Sequence, residues 1–199
     1  MLPLRTNYRE IGFTLIELMV TIAVLAILLV LAVPSFQSAL ASSALKGTTN
    51  ELLASMAQTR SLASRVGGRV TMCKSSNATQ CTTTGNWEQG WIIFVDPSHS
   101  GVNAAVDAGD SINFSYPALS NNIVIRGASG LDQYISYSSD GQGKTNTGAT
   151  LAGRIRVCST SSALSDSNRA RDLVMSFSGR VVVELSLIHI SEPTRLGMI

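Results

Sequence analysis

The chain is poor in charge and almost without histidine, and both shortages narrow what it can do. Only 14% of its 199 residues are charged, and 15 Lys+Arg against 13 Asp+Glu leave a net +2, too small a field to point to nucleic acid or an acidic partner. Two histidines, His99 and His189, offer little from which to build a catalytic base, and the many serines have no partner to activate them. No glycine-rich phosphate loop follows a strand-like run, and the carboxylates are scattered. The chain is therefore not read as an enzyme, and no cofactor is implied. Its three cysteines form no C-x-x-C pair and His99 stands alone, so no metal site is expected. In excess is one uncharged run, Leu18–Leu45, ahead of a polar remainder long enough for one domain of roughly 100–150 residues. Intrinsic disorder and a multi-span membrane protein are both excluded.

The last fifteen residues, Leu185–Ile199, lack the strand alternation that runs up to Glu184. They resemble the conceptual translation of a transposase adapter used in sequencing libraries. Residues 185–199 are set aside as a non-native tail, which removes His189 and leaves the net charge unchanged.

At the other end, Met1–Gly12 is short and polar, with Arg5 and Arg9, and Phe13-Thr14-Leu15-Ile16-Glu17 opens an apolar stretch to Val33. A helix over Phe13–Val33 is about 31 Å long, enough to cross a bilayer core. The basic flank before it predicts a single-pass anchor with a cytoplasmic N-terminus. Glu17 is the anomaly, because a carboxylate at membrane depth costs about 2.5 kcal/mol or more unless paired or near the interface. No Lys or Arg lies within helical reach on its C-terminal side. If the chain is cut after Gly12, the new α-ammonium of Phe13 lies one turn from Glu17 and would neutralise the Glu17 of a neighbouring copy during assembly. Two other readings remain open here: a secretory signal cut near Ala39-Leu40-Ala41, and a plain anchor whose Glu17 snorkels to the interface.

Gly12-Phe13-Thr14-Leu15-Ile16-Glu17, the apolar run and Pro34 together resemble the class III signal of type IV pilins and pseudopilins. The resemblance implies that a prepilin peptidase cleaves after Gly12 and methylates Phe13, and that Glu17 guides packing into a filament. Pro34 matches the family's helix-bending proline, and physically it removes one i→i−4 bond and predicts a kink.

Beyond the anchor, Leu45, Leu52, Leu53, Met56, Leu62, Ala63 and Val66 recur at helical spacing, which predicts an amphipathic stem ended by Gly67-Gly68. The period then changes. Arg69–Cys73, Trp91–Val95, Ser111–Tyr116, Ile123–Arg126, Tyr134–Tyr137, Gly153–Cys158, Leu173–Phe177 and Arg180–Glu184 read as eight short strands. The fold class is α+β: a long N-terminal helix packed on an antiparallel, sandwich-like head. The domains expected are a leader (1–12), a helix (13–66, with 13–33 in the membrane and 34–66 as the stem) and a periplasmic head (67–184).

Gly90-Trp91-Ile92-Ile93-Phe94-Val95-Asp96, Gly153-Arg154-Ile155-Arg156-Val157-Cys158 and Ser178-Gly179-Arg180-Val181 are similar to the GspH/FimT family of minor pseudopilins and minor pilins. That resemblance, over most of residues 10–184, implies a subunit of the bacterial inner membrane. It would assemble through its helix with other pilins or pseudopilins to support type II secretion or pilus assembly. Some FimT-like minor pilins bind DNA through a Gly-Arg-x-Arg motif. Here that position is Gly179-Arg180-Val181-Val182, lacking the second arginine, while Gly153-Arg154-Ile155-Arg156 matches elsewhere. Arg154 and Arg156 share one strand face and, with Arg180, form the alternative DNA-binding patch, diluted by Asp166 and Asp172.

A disulfide between Cys73 and Cys81 would close a Ser/Thr/Asn-rich loop, and the periplasm permits it. Cys158 is left odd: either its partner lay in sequence displaced by the tail, or it is a buried free thiol. Asp96-Pro97-Ser98-His99-Ser100-Gly101 with Asp107 imitates a calcium loop poorly, and an ordinary polar loop is the better reading.

Overall fold

The computed structural model describes residues 12–119, 122–128 and 130–185. By internal contacts the chain divides between Ala39 and Leu40, with the cut falling inside one helix, α1 (Leu15–Val66). The part of α1 before the cut has a mean hydropathy of 2.9 in its most apolar window, and none of that window is buried. Pro34 lies inside the helix, whose range runs through it unbroken. The lost N–H of Pro34 deprives only the Val30 carbonyl of its partner.

From Leu40 onward the molecule has a core. The buried stripe of α1 is Leu45, Thr49, Leu52, Ser55, Met56, Thr59, Leu62 and Ala63. The expected apolar positions are present, except that Leu53 is half-buried and Val66, in the last turn, is 45% exposed. Three hydroxyl residues join the stripe. Thr49, Ser55 and Thr59 escape the cost of a buried unpaired O–H by donating to the carbonyls of Leu45, Glu51 and Ser55 at 2.7, 2.9 and 2.7 Å. The helix ends as expected at Gly67 (φ 64°), and the Gly68 N–H donates to the Ala63 carbonyl at 3.3 Å, a Schellman-type closure.

Eight strands follow: β1 (Val70–Lys74), β2 (Trp91–Val95), β3 (Ser111–Tyr116), β4 (Ile123–Ala128), β5 (Tyr134–Tyr137), β6 (Gly153–Ser159), β7 (Ala170–Met175) and β8 (Val181–Leu185). They form two antiparallel sheets, ordered β3-β2-β1-β5 and β4-β6-β7-β8. Residues on both faces of β1 and β2 are buried, which is why Trp91–Val95 reads as an unbroken apolar run. In β6, Ile155 and Val157 point into the core while Arg154 and Arg156 point out. The indoles lock the layers: Trp91 Nε1 donates to Ser55 Oγ of α1 at 3.1 Å, and Trp87 Nε1, in a short 3-10 turn, donates to the Leu131 carbonyl at 2.9 Å.

Strands β1, β4, β6, β7 and β8 differ from the expected bounds by one to three residues, and in β7 and β8 the reasons are identifiable. β7 begins at Ala170, three residues before the expected Leu173, because the polar Arg171-Asp172 start is stabilised by cross-strand pairing. Phe177, expected in that strand, is instead 68% exposed in the turn to β8. There the Ser176 N–H donates to the Arg180 carbonyl at 2.9 Å. β8 extends to Leu185, which pairs with Arg171, so the strand runs one residue into the segment set aside as non-native; the rest of that tail lies outside the described residues.

Candidate functional site

The chemistry of the N-terminal region begins at the first turn of α1. Gly12 and Phe13 precede the helix, and Phe13 is 80% exposed. Thr14 is the N-cap: its Oγ1 accepts the Glu17 N–H at 3.3 Å, and its hydroxyl faces Glu17 Oε2 at 3.5 Å. Thr14-x-x-Glu17 is thus half of a capping box, worth about 1 kcal/mol to a helix. The Thr14-x-x-Glu17 spacing gives an acid at position 17 a local reason beyond the anomaly of a carboxylate at membrane depth. The carboxylate also lies at the positive end of the helix dipole. These local partners lessen the cost of the charge without cancelling it, and among the described residues Glu17 has no salt bridge. From Leu15 to Val33 the helix presents apolar side chains on all sides, a surface suited to lipid or to other helices.

In the head, Cys73 and Cys81 are joined by a disulfide that closes the loop after β1. Asn77 shapes this loop: its Oδ1 accepts the Thr79 and Gln80 N–H groups at 3.0 and 2.9 Å. Cys158 is a free, half-buried thiol on β6, and burial pushes its pKa up. The loop from Asp96 to Asp110 spends its acids internally. Burial raises the pKa of Asp96 against the opposing hydrogen bonds from the His99 N–H (2.6 Å) and the Thr71 hydroxyl (3.0 Å). Ser100 Oγ donates to Asp107 at 2.7 Å. No cluster of three or more metal-ligating side chains occurs among the described residues.

Six of the arginines fall into two groups. Arg156 reaches both carboxylate oxygens of Asp172, at 2.7 and 2.9 Å, and Arg154 adds a third bond at 2.8 Å. Burial of the Asp172 carboxyl works to raise its pKa, but the hydrogen bonds and charges of Arg156 and then Arg154 outweigh it and hold it below the ordinary range. Glu184 lies 3.9 Å from Arg154, and Glu88 pairs with Arg126 at 2.7 Å. Three cations on this sheet face therefore meet three anions. Arg180 is not part of that network; it lines a cleft with Arg60 and Arg65.

A capped, fully exposed apolar helix that continues into a stem packed on two antiparallel sheets defines a pilin-like subunit. The family model described as Type II transport protein GspH matches residues 48–179, and that of the prokaryotic N-terminal methylation motif matches residues 8–33. The chain belongs to the GspH family of pilin-like proteins. Its members are structural pilin subunits that assemble with other pilins, and the methylation motif implies processing by prepilin peptidase. Among solved structures, the type IV minor pilin FimU of Pseudomonas aeruginosa is similar in fold: 16% identity, TM-score 0.50, covering 70% of this chain and 87% of that one. A second crystal form of FimU gives 17% identity and a TM-score of 0.47, covering 71% of this chain and 90% of that one. No curated protein matches the chain.

Proposed function

We propose that this chain is a minor pseudopilin or minor pilin held in the bacterial inner membrane by Phe13–Val33, with its N-terminus in the cytoplasm and its head, residues 67–184, in the periplasm. Prepilin peptidase removes residues 1–12 by cutting after Gly12 and methylates the new amino group of Phe13. The subunit then leaves the bilayer by packing its helix among those of other pilin-like subunits. It primes or caps a short filament that serves type II secretion or pilus extension. The observation that carries this reading is Glu17, a carboxyl side chain in the first turn of an otherwise apolar, exposed helical segment. Its helix supplies a cap and a dipole but no counter-charge, whereas the α-ammonium of a processed neighbour supplies one.

The alternative, a DNA-capturing minor pilin, draws on Arg154, Arg156 and Arg180. Two of these three are engaged by Asp172, which weakens the alternative's electrostatic support.

N-terminal sequencing of the mature subunit tests the assignment. The expected first residue is N-methylated Phe13. A mature chain beginning beyond Ala41, or one still beginning at Met1, would refute it.

A further inference from the structure

The cleft that contains Arg180 lies on the head, apart from the helix N-terminus. It measures about 740 Å³ and lies between the last turns of α1, the turn after β5 and the turn joining β7 to β8. Arg60 forms its floor. Its Nε donates to the Gly141 carbonyl at 2.9 Å and its Nη2 to the Ser178 carbonyl at 3.2 Å, so the guanidinium is fixed by two backbone acceptors. An arginine has five N–H donors, and the remaining three have no acceptor among the described residues.

The floor tolerates only glycine at two points. Gly141 has φ 75°, and a Cβ there would press on Arg60 Nε at 3.0 Å. Gly179 has φ 76°, and a Cβ there would collide with the Gly141 carbonyl oxygen. On the rim, Arg65 and Arg180 are exposed, and among the described residues none of the three arginines forms a salt bridge. One acid, Asp140, lines the cleft; its Oδ1 accepts the Ser138 hydroxyl and, at 3.0 Å, the Gln142 N–H, so three arginines face a single carboxylate there. The same turn that carries Arg180 displays Phe177, 68% exposed.

We infer that this cleft is a docking site for an acidic segment of a second pilin-like subunit, whose Asp or Glu carboxylate seats on the free edge of Arg60 while Arg65 and Arg180 close over it. A fixed planar fork suits a bidentate carboxylate. Leu53, Ala57 and Val181 give the cleft an apolar wall, and an exposed Phe beside arginines is the composition of an interface anchor. A phosphodiester strand is a poorer fit, because the cations converge in one concavity instead of tracking along a groove. The inference rests on the assembly reading above and names the head contact that assembly uses.

The test places the photo-crosslinking residue p-benzoylphenylalanine at Phe177 of the full chain in its own membrane. The expected product is an adduct with another pilin-like subunit, mapped by mass spectrometry to a stretch containing Asp or Glu. Because Arg60 also docks two turns, Arg60→Glu risks unfolding the head. The decisive variant is Arg65→Glu with Arg180→Glu, both on the surface. It should reduce the adduct roughly tenfold, the effect of about 1.4 kcal/mol, and reversing the mapped acid to Lys should restore it. An unchanged yield in the double variant, an adduct on a stretch without acids, or an adduct with nucleic acid would each overturn the inference. Cleavage after Gly12 is followed in the same membranes. Normal cleavage without a head adduct sinks this inference alone, whereas absent cleavage sinks the assembly reading and this inference with it.

Discussion

The two halves of α1 have the same backbone and opposite surroundings. Before Ala39 its leucines and valines are about half exposed or more, as in Leu28 and Val30; beyond Leu40, Leu45, Leu52 and Met56 are sealed at 1% exposure or less. The first half carries hydrophobicity that nothing among the described residues covers, a surface suited to lipid or other helices. The second half carries a narrow stripe, part of it hydroxyl, that is satisfied within the head. Apolar content alone therefore does not report stability, because what covers each side chain decides its contribution.

The largest expected effect sharpens that contrast. Leu52→Ala should lower the unfolding free energy of the head by roughly 2–5 kcal/mol, while Leu29→Ala should leave it within about 0.5 kcal/mol. Urea unfolding of the full chain in detergent micelles, followed by tryptophan fluorescence, compares the two directly; equal losses would break the distinction. Next in size, Cys73→Ser with Cys81→Ser should cost the head about 2.5 kcal/mol through the loop the disulfide closes, read in the same titration.

A smaller effect depends on pH. The folded pKa of Asp172 is depressed, so its contribution is present above its ordinary value of 3.8 and is lost as pH falls from there through the folded pKa. Asp172→Asn should therefore cost about 1–2 kcal/mol at neutral pH and flatten the acid limb of the stability profile. Asp96 works in the opposite sense: its raised folded pKa costs stability as pH rises through that value, so Asp96→Asn should not reproduce the acid-limb change. The smallest effect expected is at the rim, where Glu184→Gln removes a 3.9 Å contact to a half-exposed Arg154 and should change stability by less than about 0.5 kcal/mol.

Much of this architecture was legible without coordinates, and the exceptions are instructive. Trp91–Val95, Ser111–Tyr116 and Tyr134–Tyr137 were bounded correctly because turn residues flank each run. β7 was misplaced because Asp172 looks like a loop residue until Arg154 and Arg156 are seen across the strand. Phe177 looked like a strand residue because aromatic character does not reveal that a turn exposes it. For the N-terminal region, the methylation motif matched over residues 8–33 was legible from residue order alone, since it lies in adjacent positions; the roles of Gly12, Phe13 and Glu17 within it are part of the proposal. The Thr14 cap was equally local and was missed.

Local order was enough to specify the apolar helix, its charged first turn, the glycine stop at residue 67 and the number of strands, since each depends on residues a few positions apart. The neutralisation of Arg154 and Arg156, the burial of Thr49, Ser55 and Thr59, and the meeting of Arg60 with Gly141 and Ser178 were decided by tertiary structure. Each joins a side chain to a distant strand, turn or core layer, and neither charge nor hydropathy along the chain encodes which distant backbone arrives beside it.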